Sequence, residues 1–284
     1  MELIPLEKFN ATNYRVSTMT ITGSINCCVD LGQLYNALDI THFDNVKYIE
    51  YGANKHEQEQ KGDKDNKKKK PVKKRFDNQL TIHMFDELYK YNIKLFKNGN
   101  VQMTGVKDIK GGEKIIDELI KIIEITKKEL DSLKSDDEVF SPLVLGDNQL
   151  KNLNYSVRLM NSDFKVNYKI NRSVLHKMLI NDYKLTCSYE PCIYQGVKLS
   201  FYLNDYSTDG ICKCPKKCLG KGKSTICKKI TVALFQSGCV TITGATSLIQ
   251  MNFVYEYIKY FLEKNVNAIH QPKYNLLPVT SNVV

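Results

Sequence analysis

Two hydrophobic rhythms run along this chain, in the same order, twice. The first has a period of two. In the phrase FKNGNVQMTG, beginning at Phe96, Val101 and Met103 alternate with Gln102 and Thr104. In FQSGCVTITG, beginning at Phe235, Val240 and Ile242 alternate with Thr241 and Thr243. Successive side chains of a strand point to opposite faces. Each phrase is therefore predicted to be a strand with one apolar face and one polar, uncharged face. The second rhythm has the period of a helix. GGEKIIDELIKIIEITKKEL carries Ile115/Ile116, Leu119/Ile120 and Ile122/Ile123, and SLIQMNFVYEYIKYFLEKN carries Val254, Ile258 and Phe261/Leu262. Each marks one apolar helix face.

The doubling extends upstream. RVSTMTITGSI and YSVRLMNSDFKV read as strands, and DLGQLYNAL and NRSVLHKML as short helices after them. FDNVKYIEYG, from Phe43, is laid on YQGVKLSFYL, from Tyr194. The organisation predicted is an extension over 1–11, a first repeat over 12–133, an acidic connector over 134–150, a second repeat over 151–268 and a tail over 269–284. The fold class is α+β: antiparallel sheet with helices on one side and a polar face on the other, in two copies that suggest a pseudo-twofold molecule. On alternation alone that polar face reads first as a plain solvated surface.

Charge adds a partner class. The 284 residues carry a net charge of +10, which favours an anionic partner, nucleic acid first. Much of that excess sits in one low-complexity insertion over 53–76, whose run Lys67–Arg75 suits phosphate contact, a nuclear import signal or a solvated loop. The opening MELIPLEKFNATNY has no apolar run of signal-peptide length, and no window reaches the roughly 18 apolar residues of a membrane helix. The expectation is an intracellular protein with no membrane partner, whose nine cysteines are reduced thiols or metal ligands.

Four of those cysteines cluster in a second insertion, over 205–229. Cys212, Cys214, Cys218 and Cys227 follow a C-x-C-x3-C-x8-C spacing. Four thiolates around a structural Zn2+ would staple a loop of few apolar residues. Cys27, Cys28 and Cys239 read as small core or surface residues. Enzymatic chemistry finds no footing: His42, His56, His83, His176 and His270 are scattered, and there is no nucleophile elbow, phosphate-cradling loop or carboxylate pair. The expectation is that the protein is not an enzyme.

Three motifs in order then carry a family resemblance. SYEPCIYQG at 188–196 is close to S-Y-E-P-x-[LI]-F-x-G, and LFKNGNVQMTG and LFQSGCVTITGA are close to I-F-x-S-G-K-x-V-x-T-G-A. These are motifs of the TATA-box-binding protein family, and the chain resembles it over roughly 220 residues. The resemblance implies a saddle: a curved sheet whose concave face covers the DNA minor groove and whose convex face carries the helices. It implies four wedge aromatics that unstack the ends of the site: Phe96, Phe235, Tyr194 and, by repeat symmetry, Phe43. Tyr194 stands where relatives have phenylalanine. Groove-floor positions are Thr18, Thr20, Gln102, Thr104, Leu159, Asn161, Thr241 and Thr243, of which only Thr104 and Thr243 match relatives. The two insertions are taken to fall at matching points, in the loops that straddle the DNA ends.

The function implied is a general transcription initiation factor that binds and bends A·T-rich double-stranded DNA as a monomer. Its partners would be a IIB-type initiation factor and RNA polymerase, in a nucleus or a cytoplasmic viral factory. Richness in Lys, Asn and Ile suits a viral or protist source. The alternative is a protein-interaction platform that kept the fold and lost TATA-specific DNA binding.

Overall fold

The computed structural model describes residues 2–4, 8–52, 54–57, 78–133, 142–145, 149–204, 208–215, 218, 220–221 and 227–275. In chain order the elements begin with strands β1 (Glu2–Ile4), β2 (Arg15–Ser24) and β3 (Cys28–Val29). Helix α1 (Leu31–Ala37) leads to strands β4 (Val46–Tyr51), β5 (Asn54–Glu57), β6 (Gln79–Phe85), β7 (Lys90–Phe96) and β8 (Asn100–Val106). Helix α2 (Ile109–Ser132) precedes β9 (Val144–Leu145) and the long β10 (Leu153–Lys165). Then come α3 (Arg172–Asn181), β11 (Thr186–Ser188), β12 (Val197–Leu203), β13 (Lys228–Leu234) and β14 (Cys239–Ala245). Helices α4 (Leu248–Lys264) and α5 (Val266–Ile269) and strand β15 (Lys273–Asn275) close the chain. The fold is mixed α+β, with extensive antiparallel sheet and several helices.

The chain divides into two units. The central unit is Thr18–Arg158; the terminal unit combines Met1–Ser17 with Leu159–Val284. Strands β2 and β10 are thus each cut between the units. The residues before the first repeat belong with the second one: β1 pairs with β15, Glu2 opposing Asn275. The connector is also more than a tether, because β9 pairs with β3 and Leu143 and Val144 are buried.

In the central unit the strands run β2–β8–β7–β6–β4–β5. The row Ile21, Met103, Ile93, Ile82, Ile49 crosses five strands and is wholly buried. The neighbouring row, one residue along, is Thr22, Gln102, Lys94, Thr81, Glu50 and lies on the opposite face. Helix α2 covers the apolar face, burying Ile115, Ile116, Leu119, Ile120, Ile122 and Ile123. It starts where Asp108 accepts a hydrogen bond from the Gly111 amide at 2.6 Å, a helix cap that also suits the positive end of the dipole.

The terminal unit repeats the plan in the order β11–β12–β13–β14–β10. Its buried row is Ser162, Ile242, Val232, Leu199, with Cys187 beyond, and its open row is Asp163, Thr241, Ala233, Lys198, Ser188. Helix α4 buries Met251, Val254, Tyr255, Ile258, Phe261 and Leu262, and Ser247 caps it through the Gln250 amide. The doubled phrase now has a physical reason. Gly99 and Gly238 take φ of 75° and 83° in the turns before β8 and β14, and Gly105 and Gly244 take 89° and 109° at the strand ends. Only glycine enters that region without a Cβ penalty.

Ladder registers correct two sequence expectations. Leu95 opposes Val101 as Leu234 opposes Val240, and Leu80 opposes Leu95 as Val197 opposes Leu234. By neighbours, β6 is therefore the counterpart of β12, whereas β4 lies one strand further out. Laying FDNVKYIEYG on YQGVKLSFYL matched a shared Val-Lys pair between strands that occupy different places. The insertions do not fall at matching points either: one precedes β6, the other follows β12. Apart from 54–57, the first insertion, including Lys67–Arg75, lies outside the described residues.

Candidate nucleic-acid interface and metal centre

The ring pair of the terminal unit is built by two loops. In SYEPCIYQG the amides of Ile193 and Tyr194 both donate to the Glu190 carbonyl at 2.9 Å, closing a tight turn. That turn sets Tyr194 opposite Phe235, with ring centroids 5.8 Å apart and planes tilted by 58°. Gly196 sits beneath both rings. A Cβ there would come within 2.9 Å of Tyr194 Cε1 and 3.0 Å of Phe235 Cε1, so the pair closes only over a glycine. Lys198 Nζ lies 4.0 Å from the centre of the Tyr194 ring. Arg172, at the start of α3, ties the loops together: it donates to the Gln195 carbonyl, to Gln195 Oε1 at 2.9 Å and to Gln236 Oε1 at 3.2 Å. Nothing in the sequence marked Arg172. Gly196→Ala should push the rings apart and cost about 1–3 kcal/mol, the usual penalty of overpacking, read as a lower denaturation midpoint with the far-ultraviolet spectrum retained.

Phe96 ends β7 as Phe235 follows β13, and both are half-buried. Phe43 does not share that arrangement. It ends the short 3-10 turn Ile40–His42, ahead of β4, and β6 stands between β4 and β7.

The open face holds most of the groove-floor candidates. Thr18 and Thr20 in β2, with Thr22, are half-buried and alternate with the buried Met19 and Ile21. Gln102 and Thr104 are half-buried in β8, as are Thr241 and Thr243 in β14. Asn161 opposes Thr243, and Leu159 and Asn161 are half-buried in β10. One is engaged within its own unit, since Thr18 Oγ1 accepts from the Gly105 amide at 3.2 Å, whereas Asn161 Oδ1 is enclosed without a hydrogen-bond partner among the described residues.

The face also carries residues the sequence reading passed over. Lys94 opposes Gln102, and Asn92 opposes Thr104. Arg158 Nε donates to Thr22 Oγ1 at 2.7 Å. His83 stacks on Tyr48 at 4.0 Å, and its Nε2 lies 2.7 Å from Asn92 Nδ2. The alternation KYNIKLF, which puts Asn92 and Lys94 on the side of Phe96, was the available signal. Burial, reinforced by Lys55 and Lys47, holds His83 down at about 4. Its neutral ring is then the folded form, while the unfolded chain takes up a proton near the ordinary value of about 6.5. Stability is consequently expected to fall as pH drops from 6.5 toward 4 and to lose no more from this group below that. In His83→Gln that part of the pH dependence of the melting temperature should disappear.

The cysteine cluster comes together as expected. The Sγ atoms of Cys212, Cys214, Cys218 and Cys227 all lie within 4.8 Å of one another. Cys214 and Cys227 are 3.4 Å apart, and Cys227 and Cys212 3.7 Å. A tetrahedral zinc with bonds of about 2.3 Å requires sulfur–sulfur distances of about 3.8 Å. Two donors reach the sulfurs: Asn204 Nδ2 donates to Cys227 Sγ at 3.6 Å, and the Gly220 amide donates to Cys218 Sγ at 3.3 Å. Burial pushes the Cys227 thiol up to about 12, whereas a main-chain hydrogen bond from Cys227 lowers that of Cys214. The cluster is positioned to coordinate a structural metal such as Zn2+. Its place differs from the expected one, however. Leu203 and Lys228 pair at its end of the β12–β13 ladder, while Val197 and Leu234 pair at the Tyr194–Phe235 end. Six residues of strand separate them, about 20 Å. The metal centre is therefore remote from the ring pair.

Comparison with known proteins follows that geometry. A TATA-box-binding protein-like protein of Acanthamoeba polyphaga mimivirus is 29% identical over 293 aligned positions, which span 99% of this chain and 72% of that protein. The similarity to that protein therefore runs along nearly the whole of this chain. No family model matches it. Among solved structures, Methanococcus jannaschii TBP aligns with 89% of this chain and 99% of its own, at 16% identity and a TM-score of 0.45. No helix among the described residues of this chain is long and apolar enough to cross a membrane.

Proposed function

We propose that the protein is a minor-groove DNA-binding initiation factor: the open sheet faces of both units cover one duplex, and the half-buried aromatics open it at its ends. The observation that carries this reading is the Tyr194–Phe235 pair, closed over Gly196. The glycine lets two half-buried rings stand together at one strand end, where a Cβ would press on both. Short uncharged side chains such as Thr241 and Thr243 suit a groove edge lined mostly by acceptors. The duplex pays for unstacking with a few kcal/mol per step, recovered in added contact. The mimivirus relative is named TATA-box-binding protein-like, which points to a DNA element as ligand, and a net charge of +10 favours a polyanion. In this reading the two units form a saddle, the protein acts as a monomer on DNA without catalysis, and a IIB-type factor and RNA polymerase are its partners inside the cell.

Phe76 lies outside the described residues, but in sequence it precedes β6 as Tyr194 precedes β12, so in this reading it takes the fourth wedge position in place of Phe43. Phe76→Ala should weaken duplex binding more than Phe43→Ala does; the reverse order would restore Phe43.

The direct test of groove choice is competition. A minor-groove polyamide on an A·T-rich duplex should displace the protein in an anisotropy titration, while bulky major-groove substituents at the same bases should leave it bound. Displacement by the major-groove groups alone would refute the reading. The rival, an interaction platform, would bind no duplex in either arm.

A further inference from the structure

The two open faces occupy matching registers but differ in chemistry. Gln102 opposes Lys94 in the central unit; at the same ladder step of the terminal unit Thr241 opposes Ala233. Neither Gln102 nor Lys94 has a polar partner among the described residues. A long carboxamide and a long ammonium thus stand where the other unit has a β-branched hydroxyl and a methyl. Beside Gln102 lies an open basin of about 1050 Å³, whose lining includes Thr22, Phe96, Asn100, Ser156 and Arg158.

We propose that the preferred DNA is asymmetric, with a guanine admitted only in the half that lies on the central unit, where Gln102 reads it. This inference rests on the minor-groove reading above. In that groove, A·T and T·A pairs show only acceptors, and guanine adds one donor, its 2-amino group. A surface that accepts guanine must supply both an acceptor and room for the amino group. Gln102 Oε1 is such an acceptor, its amide end also donates, and the adjoining basin supplies the room. Lys94, which only donates, serves a neighbouring base acceptor across the ladder. At Thr241 the oxygen is held one carbon from the backbone on a stiff side chain, and Ala233 offers no polar atom. There the guanine amino group meets the sheet surface itself. The difference also fixes direction, because a duplex with guanine in one half fits one way round.

The experiment uses the full chain and duplexes that differ by one amino group. A guanine is placed in one half of an otherwise A·T-rich site and then replaced by inosine, which lacks the 2-amino group. Wild-type protein should bind the inosine duplex about three- to ten-fold more weakly, the worth of one hydrogen bond. In the opposite half, exchanging adenine for 2,6-diaminopurine adds the amino group and should weaken binding instead. The variant Gln102→Thr with Lys94→Ala should lose the guanine–inosine difference, and Thr241→Gln with Ala233→Lys should create one in the other half. Equal binding of the guanine and inosine duplexes by wild type would overturn the inference and leave the minor-groove reading standing. Equal effects of the amino group in both halves would overturn it likewise. Failure to bind any duplex would overturn both.

Discussion

Replacing Phe96 and Phe235 together with alanine is expected to remove most of the affinity for duplex DNA while the protein stays folded. Base–aromatic stacking is worth about 1–3 kcal/mol per base, so two rings account for about 2–6 kcal/mol, at least a thirty-fold loss. Folding should survive because both side chains are half-buried at strand ends, whereas the sheet interior rests on the buried rows through Ile93 and Val232. Phe235→Ala alone should show the larger effect, since it also strands Tyr194, its partner at 5.8 Å. Denaturant midpoints and anisotropy titrations on the same samples separate the two consequences. A double variant that binds as wild type would mean that the rings are ordinary packing residues.

Loss of the metal should have a large but local effect. Purified protein is expected to carry about one zinc per chain. Structural zinc in small peptide sites is worth about 10–16 kcal/mol of apparent binding free energy, which is ample to order a loop whose sequence has few apolar residues. In Cys214→Ser, zinc should fall to background, and the loop over 205–227 should become the first site of proteolysis. The β12–β13 ladder should persist, because Val197, Leu199, Phe201, Ile230, Val232 and Leu234 are buried independently of the cluster. Duplex affinity should change less than two-fold, since about 20 Å of strand separates the cluster from the ring pair. Metal-free wild-type protein, with all four thiols modified under native conditions, would refute the metal assignment.

Local periodicity made the long elements readable. Alternation in the doubled phrase located β8 and β14, and apolar pairs at helix spacing located α2 and α4. The cysteine spacing was enough to nominate the cluster, because four ligands that close in sequence must meet in a short loop. Other features depend on distant pairing. Strands β1 and β15 have three residues each, too few for a periodic signal, and they meet only through a chain reversal of the whole protein. Strand order failed for the same reason: β4 and β12 share a Val-Lys pair, but only the ladders reveal that β6 is the neighbour of β7. Arg172 was invisible because its role lies in joining two glutamines, Gln195 and Gln236, from separate loops. Lys94 and Asn92 were visible in KYNIKLF, yet their significance appeared only once β7 was seen to pair with β8.

The central claim is that these sheet faces bind and bend a duplex through its minor groove. End-to-end energy transfer on a short, doubly labelled A·T-rich duplex tests it most directly. Wild-type protein should shorten the end-to-end distance on binding, and Phe96→Ala with Phe235→Ala should abolish the change even at protein concentrations that restore occupancy. A duplex that binds wild-type protein yet keeps its free length, or that shortens equally with the double variant, would contradict the account.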